Sequence, residues 1–574
     1  MAKFSKEQLT RLQESMEFSY GKLKPFRENQ VAAVKQQVGH HYSDDGADKE
    51  VPLNFLELAL NIYLQHLAAQ NPKILVTTAP DDLKAIAAKL ELDVNRLLDT
   101  LHFDDVMVDA VTQAMFSVGI IKVGLNRCGS FRLDGQEYPL TEPFLGSVSL
   151  DNWVHDMTAR DWSQIQYCGD RYTLPLEDVM ANPNFSKAFK DNLSAKDGPN
   201  NADDGEKTET ITKGNEPLQN QYKDVVDLWD IWLPAEGLLV TFDDDDGNDE
   251  VGRVVNWNGP KTGPYNFLSF TKVIDNIMPL APVASWRDLH DLANKVFRKL
   301  GRQVKRQKTV TGVQAGAEKD GNRAIAANDG DMITLDNPKN IVELKSGGID
   351  QQSFLFLLQI KEMTSWMFGN LDAMGGLSAQ SETLGQDQML SANASKRFEA
   401  MQKKTIKFAK NVTTDLAWYR WTDPIKDFPV TIKKYGTTVQ SSLTIWERET
   451  DFFKYNFDIE PFSMQYQSPS AKLATIGQIF NQFIAPYAEA MMAQGITVNF
   501  ESLMKIIAKY SNLSELNDIL IYSDPQQPPA TAEGTSVRQS PNTTHKYIRE
   551  GRTGHTQQGT DALLTQMLTA GKTG

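Results

Sequence analysis

Five unlike segments follow one another between Ala281 and Gln386, and their order constrains the chain more than any other feature. In 284–308, Leu289, Leu292, Val296, Leu300 and Val304 recur at three- and four-residue spacing, which predicts an amphipathic helix. Eight basic residues against two acids cover its other faces, and at about 1.5 Å per residue it spans roughly 37 Å. A Gly/Asn/Asp-punctuated stretch with short β runs follows at 309–349. Next, 350–370 is preceded by Gly347 and Gly348, with Asp350 as N-cap. Phe354, Leu355, Phe356, Leu357, Leu358 and Ile360 leave this helix no polar face for two turns. A helix apolar all round must be buried all round, by a domain core or by a neighbouring subunit. The fourth segment, 371–385, is a Gly/Ser loop that Gly375, Gly376 and Gly385 free to move. The fifth, 386–421, keeps helical spacing through Leu390, Ala394, Phe398, Met401, Phe408, Val412, Leu416 and Tyr419. It is on the order of 54 Å long, and Pro424 ends it.

Two helices flanking a small β element, then a loop leading into a long helix, suit one subunit of a ring around nucleic acid. At 574 residues, with 40% hydrophobic and 23% charged content, the chain can hold three or four domains. Its longest apolar run, 354–358, falls far short of the ~18 residues of a membrane span. The N-terminus lacks a signal-peptide core, and Cys128 and Cys168 are too few for a disulfide framework or a cysteine metal site. A cytosolic origin is the simple reading. A net charge of −15 argues against wrapping DNA tightly, yet it suits a channel past which DNA slides, with local basic rings to guide it.

The N-terminal part reads as mixed. Helices are expected at 5–18, 26–38, 51–70, 81–90 and 93–118, and strands at 73–78, 119–125, 131–139, 146–150, 163–172, 225–233, 237–242 and 250–256. The polar stretch 194–214 is expected to be a mobile loop. At the other end, 524–574 opens with Pro525, Pro528 and Pro529, carries Arg538, Lys546, Arg549, Arg552 and Lys572, and reads as disordered. Leu563, Leu564, Met567 and Leu568 could form a short docking helix.

Enzyme motifs fail on their spacing. An EF-hand over Asp243–Gly247 would need an acid at Phe242 and a glutamate at Arg253. The ending Gly571-Lys572-Thr573 has Gln566 where a P-loop needs glycine. His40 and His41, being adjacent, point apart. The expectation is a non-enzymatic protein with no cofactor and no metal.

In this segment order the chain resembles the portal proteins of tailed bacteriophages, also called head-to-tail connectors. The stretches 51–63, 71–76 and 109–123 look like their N-terminal wing, and the likeness runs over roughly 25–520. It implies an α+β portal fold with an α/β wing, a helical stem hairpin, a small α/β clip, a long spine helix and a helical crown. The implied divisions are 1–278 for the N-terminal region and wing, 279–308 for the first stem helix, 309–349 for the clip and 350–370 for the second stem helix. A tunnel loop at 371–385, spine and remaining wing at 386–465, crown at 466–522 and a flexible tail at 523–574 complete them. Crown helices would lie at 470–494 and 500–509.

The resemblance further implies a homo-oligomeric ring, commonly of twelve subunits, at one capsid vertex of the virion, assembled in the host cytoplasm with no membrane. The terminase large subunit would pump double-stranded DNA through it, and ejection would use the same channel. Head-completion or adaptor proteins and tail proteins would dock on the clip, where Lys319, Arg323, Asp329 and Asp331 are candidates. Major capsid and scaffolding proteins would surround the ring. The tunnel loop would meet DNA through Met374, Gly375, Gly376, Ser378, Gln380 and Ser381, having no Lys or Arg. Arg287, Lys295, Arg298, Arg302, Lys305 and Arg306 would face either the lumen or neighbouring stems and the capsid. Phe354, Leu355, Phe356, Leu357 and Leu358 would form the subunit interface. The alternative reading is a non-enzymatic scaffold or adaptor that binds partners through 309–349.

Overall fold

The computed structural model describes residues 4–39, 51–133, 136–193, 223–244, 250–369, 371, 384–434, 437–460, 463–464, 473, 476–487, 503 and 507. The chain forms two compact units, 1–466 and 467–574. In the second, residues 476–487 are helical with a π turn at Phe480–Ile484, within the expected helix 470–494. Most of 500–509, and all of 524–574, lie outside the described residues.

The first unit opens with α1 (Lys6–Val38), capped by a reciprocal Ser5–Gln8 pair. Two helices were expected here, and one forms. Buried Leu9, Leu12, Met16, Ser19, Leu23 and Arg27 keep helical spacing across Pro25, so packing overrides a proline cost of roughly 3 kcal/mol. Then come α2 (Phe55–Leu67), β1 (Ile74–Thr78), α3 (Lys84–Thr100) and α4 (Phe103–Phe116). The α3–α4 break falls at Leu101–His102 rather than near residue 91. Buried Leu90, Val94, Leu97 and Leu98 carry the first helix onward until His102 turns left-handed at φ 48.

A long hairpin, β2 (Gly119–Leu133) and β3 (Gln136–Ser147), replaces the separate strands expected at 119–125, 131–139 and 146–150. After it come β4 (Trp153–His155), β5 (Cys168–Pro175), α5 (Leu176–Ala181), α6 (Lys187–Asp191), β6 (Val225–Leu233), β7 (Leu238–Asp243), β8 (Arg253–Asn256) and β9 (Tyr265–Leu268). Strand β5 starts later than expected, because Trp162–Gln164 form a 3-10 turn. The order is β4-β5-β6-β7-β8 in one sheet and β3-β2-β9 in another.

The two sheets are tied by charge. Asp170, Asp230, Thr241 and Arg253 stand directly opposite one another on β5 to β8. Lys122 of β2 reaches into this row, 2.7 Å from Asp170 and 3.3 Å from Asp230. The Tyr265 hydroxyl donates to Asp170. Burial opposes the Lys122 charge, but its two carboxylates outweigh that and raise its pKa. Burial likewise pushes up Asp170, whereas Lys122 and Arg253 overcome it at Asp230 and hold that carboxyl low.

The hairpin region follows as α7 (Pro282–Arg306), β10 (Lys308–Val313), α8 (Glu318–Ala326), β11 (Ile341–Ser346) and α9 (Gln351–Met367). The long α10 (Leu384–Thr422) then leads to β12 (Phe428–Lys434), β13 (Thr437–Leu443) and β14 (Tyr455–Ile459). Strand β14 pairs with β1, so the chain after Trp421 returns to the N-terminal part. Every strand pairing described is antiparallel, so the fold is α+β. The main core joins α2, α3, α4 and the second half of α10, with Leu60, Leu97, Met107, Val412 and Leu416 inside it. No described helix is long and apolar enough to cross a membrane.

Candidate functional site

Helices α7 and α9 form a hairpin whose outer end carries β10, α8 and β11. Pro282 starts α7 at a position where its missing N–H costs no bond. At the other turn, Lys308 pairs with Ser346, and Gly347 (φ 82) brings the chain close to the Arg306 carbonyl. Asp350 caps α9 by accepting from the Gln352 and Ser353 amides, and its own amide donates to Gln303 Oε1 at 3.2 Å. The Ser353 hydroxyl, 2.6 Å away, is the main cause holding the Asp350 carboxyl below its ordinary range.

The inner end of the hairpin is clamped. Trp286 stacks on Phe368 at 4.5 Å, and the Tyr63 hydroxyl donates to the Phe368 carbonyl at 2.6 Å. The Asn294 amide both donates to Leu53 O and accepts from Leu53 N, each at 3.0 Å. Burial pushes His290 down to about 4, so it is neutral at physiological pH. The sequence pattern missed this clamp. The α7 stripe was expected along Leu289, Leu292, Val296, Leu300 and Val304, but the buried face is Val283, Trp286, His290, Ala293, Asn294 and Leu300. Asn294 can go inside because its amide bonds to Leu53 and to the His290 ring, so hydrophobic spacing points to the wrong side. Leu292 and Val304 remain exposed.

Helix α9 departs from expectation more sharply. Within one chain it is not buried all round: Phe354, Leu355, Phe356 and Leu358 are exposed, and Leu357 is half-buried. Ile360, Thr364 and Phe368 mark the covered line. At about 100° per residue, Phe354 and Leu358 lie roughly 90° to one side of it, and Phe356 and Met363 roughly 90° to the other. Leu355 and Trp366 point opposite, with Trp366 77% exposed. The helix thus leaves a continuous apolar arc uncovered, from Phe354 and Leu358 through Leu355 and Trp366 to Phe356 and Met363.

On α7, Lys295, Arg302, Lys305 and Arg306 are exposed, while Arg287 and Arg298 are half-buried at the margin of the buried face. Arg287, Arg298 and Lys305 fall along one flank, with Lys295, Arg302 and Arg306 further round. Lys295 pairs with Asp291 one turn back.

In the outer element, Asp320 is buried and accepts from the Asp336 amide, with Arg323 3.8 Å away. Lys319, Arg323, Asp329 and Asp331 are exposed, and Asp331 closes a local turn by accepting from the Asn328 amide. Met332 and Ile325 are exposed beside them. Met374, Gly375, Gly376, Ser378, Gln380 and Ser381 lie outside the described residues. Among the described residues no group of three or more His, Cys, Asp or Glu side chains converges as a metal site. Compared with known proteins, the chain matches no family model and no curated sequence.

Proposed function

We propose that the chain is one subunit of a portal-like ring, a channel at a capsid vertex through which a terminase motor packages DNA and through which DNA later leaves. The observation that carries this reading is the uncovered apolar arc on α9, whose two ends, Phe354 with Leu358 and Phe356 with Met363, face opposite ways. A two-fold dimer covers one self-complementary patch, whereas a head-to-tail ring uses two different patches on every subunit. At ~25 cal/mol per Å² of apolar surface, leaving such side chains in water costs a few kcal/mol per subunit, which a neighbour on each side would recover. The outer element would be the docking clip and the basic flank of α7 would guide DNA or meet the capsid. The acidic remainder would keep DNA from sticking.

Native mass spectrometry with negative-stain imaging tests the reading, with a ring of about a dozen copies around a hole as the expected result. Leu358→Asp and Phe356→Asp, one on each flank, should each give monomers. An equimolar mixture of the two should give a capped dimer, since one intact interface remains. A wild-type chain that stays monomeric under all conditions, or variants that leave the ring intact, would sink it.

A further inference from the structure

A cleft of about 810 Å³ opens beside β8, between the five-stranded sheet and the part of β2 beyond Lys122. Its size falls in the ~300–1,000 Å³ range of binding pockets. Phe144, Trp257 and Trp418 line its walls, and the Asp170–Asp230–Arg253 row with Lys122 forms its floor. Two carboxylates and two cations there cancel and bond to one another.

Unpaired backbone borders the cleft on two sides. Val148 N–H donates to Ile120 O, so the even-numbered residues of β2 bond to β3 and the odd-numbered ones face the other way. On that second side β9 covers Gly119 to Lys122, and Val123 N–H donates to Pro264 O at 2.8 Å. Pro264 has no N–H to return, and the ladder stops. Among the described residues, the N–H and C=O of Leu125 therefore face an edge with no strand beside it.

Across the cleft, Trp257 N–H donates to Gly237 O in the β7–β8 register, which turns the backbone N–H and C=O of Asn256, a lining residue, outward. Edges are normally blunted by charge, proline or a bulge. Here Val123 to Asn126 carry none of these, and the β2 bulge comes only at Arg127/Gly129.

We propose that this cleft receives an extended, uncharged peptide segment of a partner protein, held through the outward backbone groups of Leu125 and Asn256. Strand addition supplies backbone hydrogen bonds, and alternate side chains would meet the aromatic walls. The segment is uncharged because the floor's charges are already paired, and a further buried charge would find no counter-ion.

The test is amide hydrogen exchange on the full chain with acetyl-Val-Thr-Val-Thr-Val-Thr-amide as the probe. Exchange at Leu125 and Asn256 should slow at least tenfold. Methylating alternate peptide nitrogens should abolish this, and replacing each Thr of the probe by Asp should weaken it tenfold or more. Asn256→Pro removes an outward N–H outside the ladder at an exposed position, so the melt should hold while protection at Leu125 is lost. The methylated probe tests the same backbone bonds without a variant. No slowing at millimolar peptide, or equal slowing by the methylated probe, overturns the proposal. So does slow exchange in the protein alone that disappears on dilution, which would assign the cleft to a second copy. The readout does not depend on ring assembly.

Discussion

Lys122→Met isolates the charge tie between the two sheets. The side chains of Lys122, Asp170 and Asp230 are 15%, 9% and 7% exposed, so the pair of carboxylates would lose its main counter-charge inside the protein. Breaking a buried ion pair from one side typically costs about 3–5 kcal/mol. Arg253, 3.3 Å from Asp230, would still neutralise one carboxylate, which places the expected loss near the lower end, about 3 kcal/mol at pH 7. The sign with pH follows from the acid left uncompensated. Asp170 is already raised by burial, and without Lys122 it rises further, so the folded variant takes up a proton more readily than the unfolded chain. Its penalty is fully present above that raised folded pKa and is relieved as pH falls toward the ordinary carboxylate range near 4. Urea unfolding followed by tryptophan fluorescence at pH 7 and pH 5 reads this directly. The deficit should shrink at pH 5, and Lys122→Met with Asp170→Asn should recover part of it at pH 7. A deficit below about 1 kcal/mol, or one of equal size at both pH values, would refute the reasoning.

Asp415, buried and accepting from Asn266 and Thr262, is pushed up to about 6, so it destabilises the fold above that pH. Asp415→Asn should therefore stabilise the protein by about 1–3 kcal/mol at pH 7 and by little at pH 4, checked by urea midpoints at each pH. His290 has the opposite slope. Its folded value of about 4 lies below the ordinary 6.5, so stability should fall by roughly 3 kcal/mol as pH drops from 6.5 to 4, and His290→Leu should flatten that limb. At Gly263 (φ 83) a methyl group would sit 2.5 Å from the Trp232 ring, so Gly263→Ala should cost about 1–3 kcal/mol in a thermal melt.

Segments whose signal is local were readable in the sequence. The Asp350 cap, the α10 spacing up to Pro424 and the Val-, Leu-, Ile- and Trp-rich β6 each announce themselves within a few residues. What stayed hidden depends on partners far along the chain. His290 and Asn294 look like surface residues until Phe55 and Leu53 are brought to them. The row Asp170–Asp230–Thr241–Arg253 exists only once four strands find their register, and no spacing in the sequence marks it. Helix α9 shows a further limit. Its sequence states that a cover is needed, and one chain leaves much of the helix uncovered.

The basic flank of α7 supplies a test of the channel reading that leaves the fold alone. Arg298 and Arg302 are one turn apart and about 40° from each other round the helix, Arg302 exposed and Arg298 half-buried. Charge changes at exposed positions usually move stability by less than about 0.5 kcal/mol, so Arg302→Glu should melt like the wild type, and adding Arg298→Glu should cost about 1 kcal/mol at most. In an assembled ring the same two changes repeat in every subunit. About a dozen copies would turn roughly two dozen positive charges negative in one band, an effect far larger on a passing polyanion, or on capsid contacts, than on one chain. Packaging or capsid incorporation should therefore fall while the monomer stays folded. Unaltered phage yield would show that this flank guides nothing, whatever the shape of the assembly.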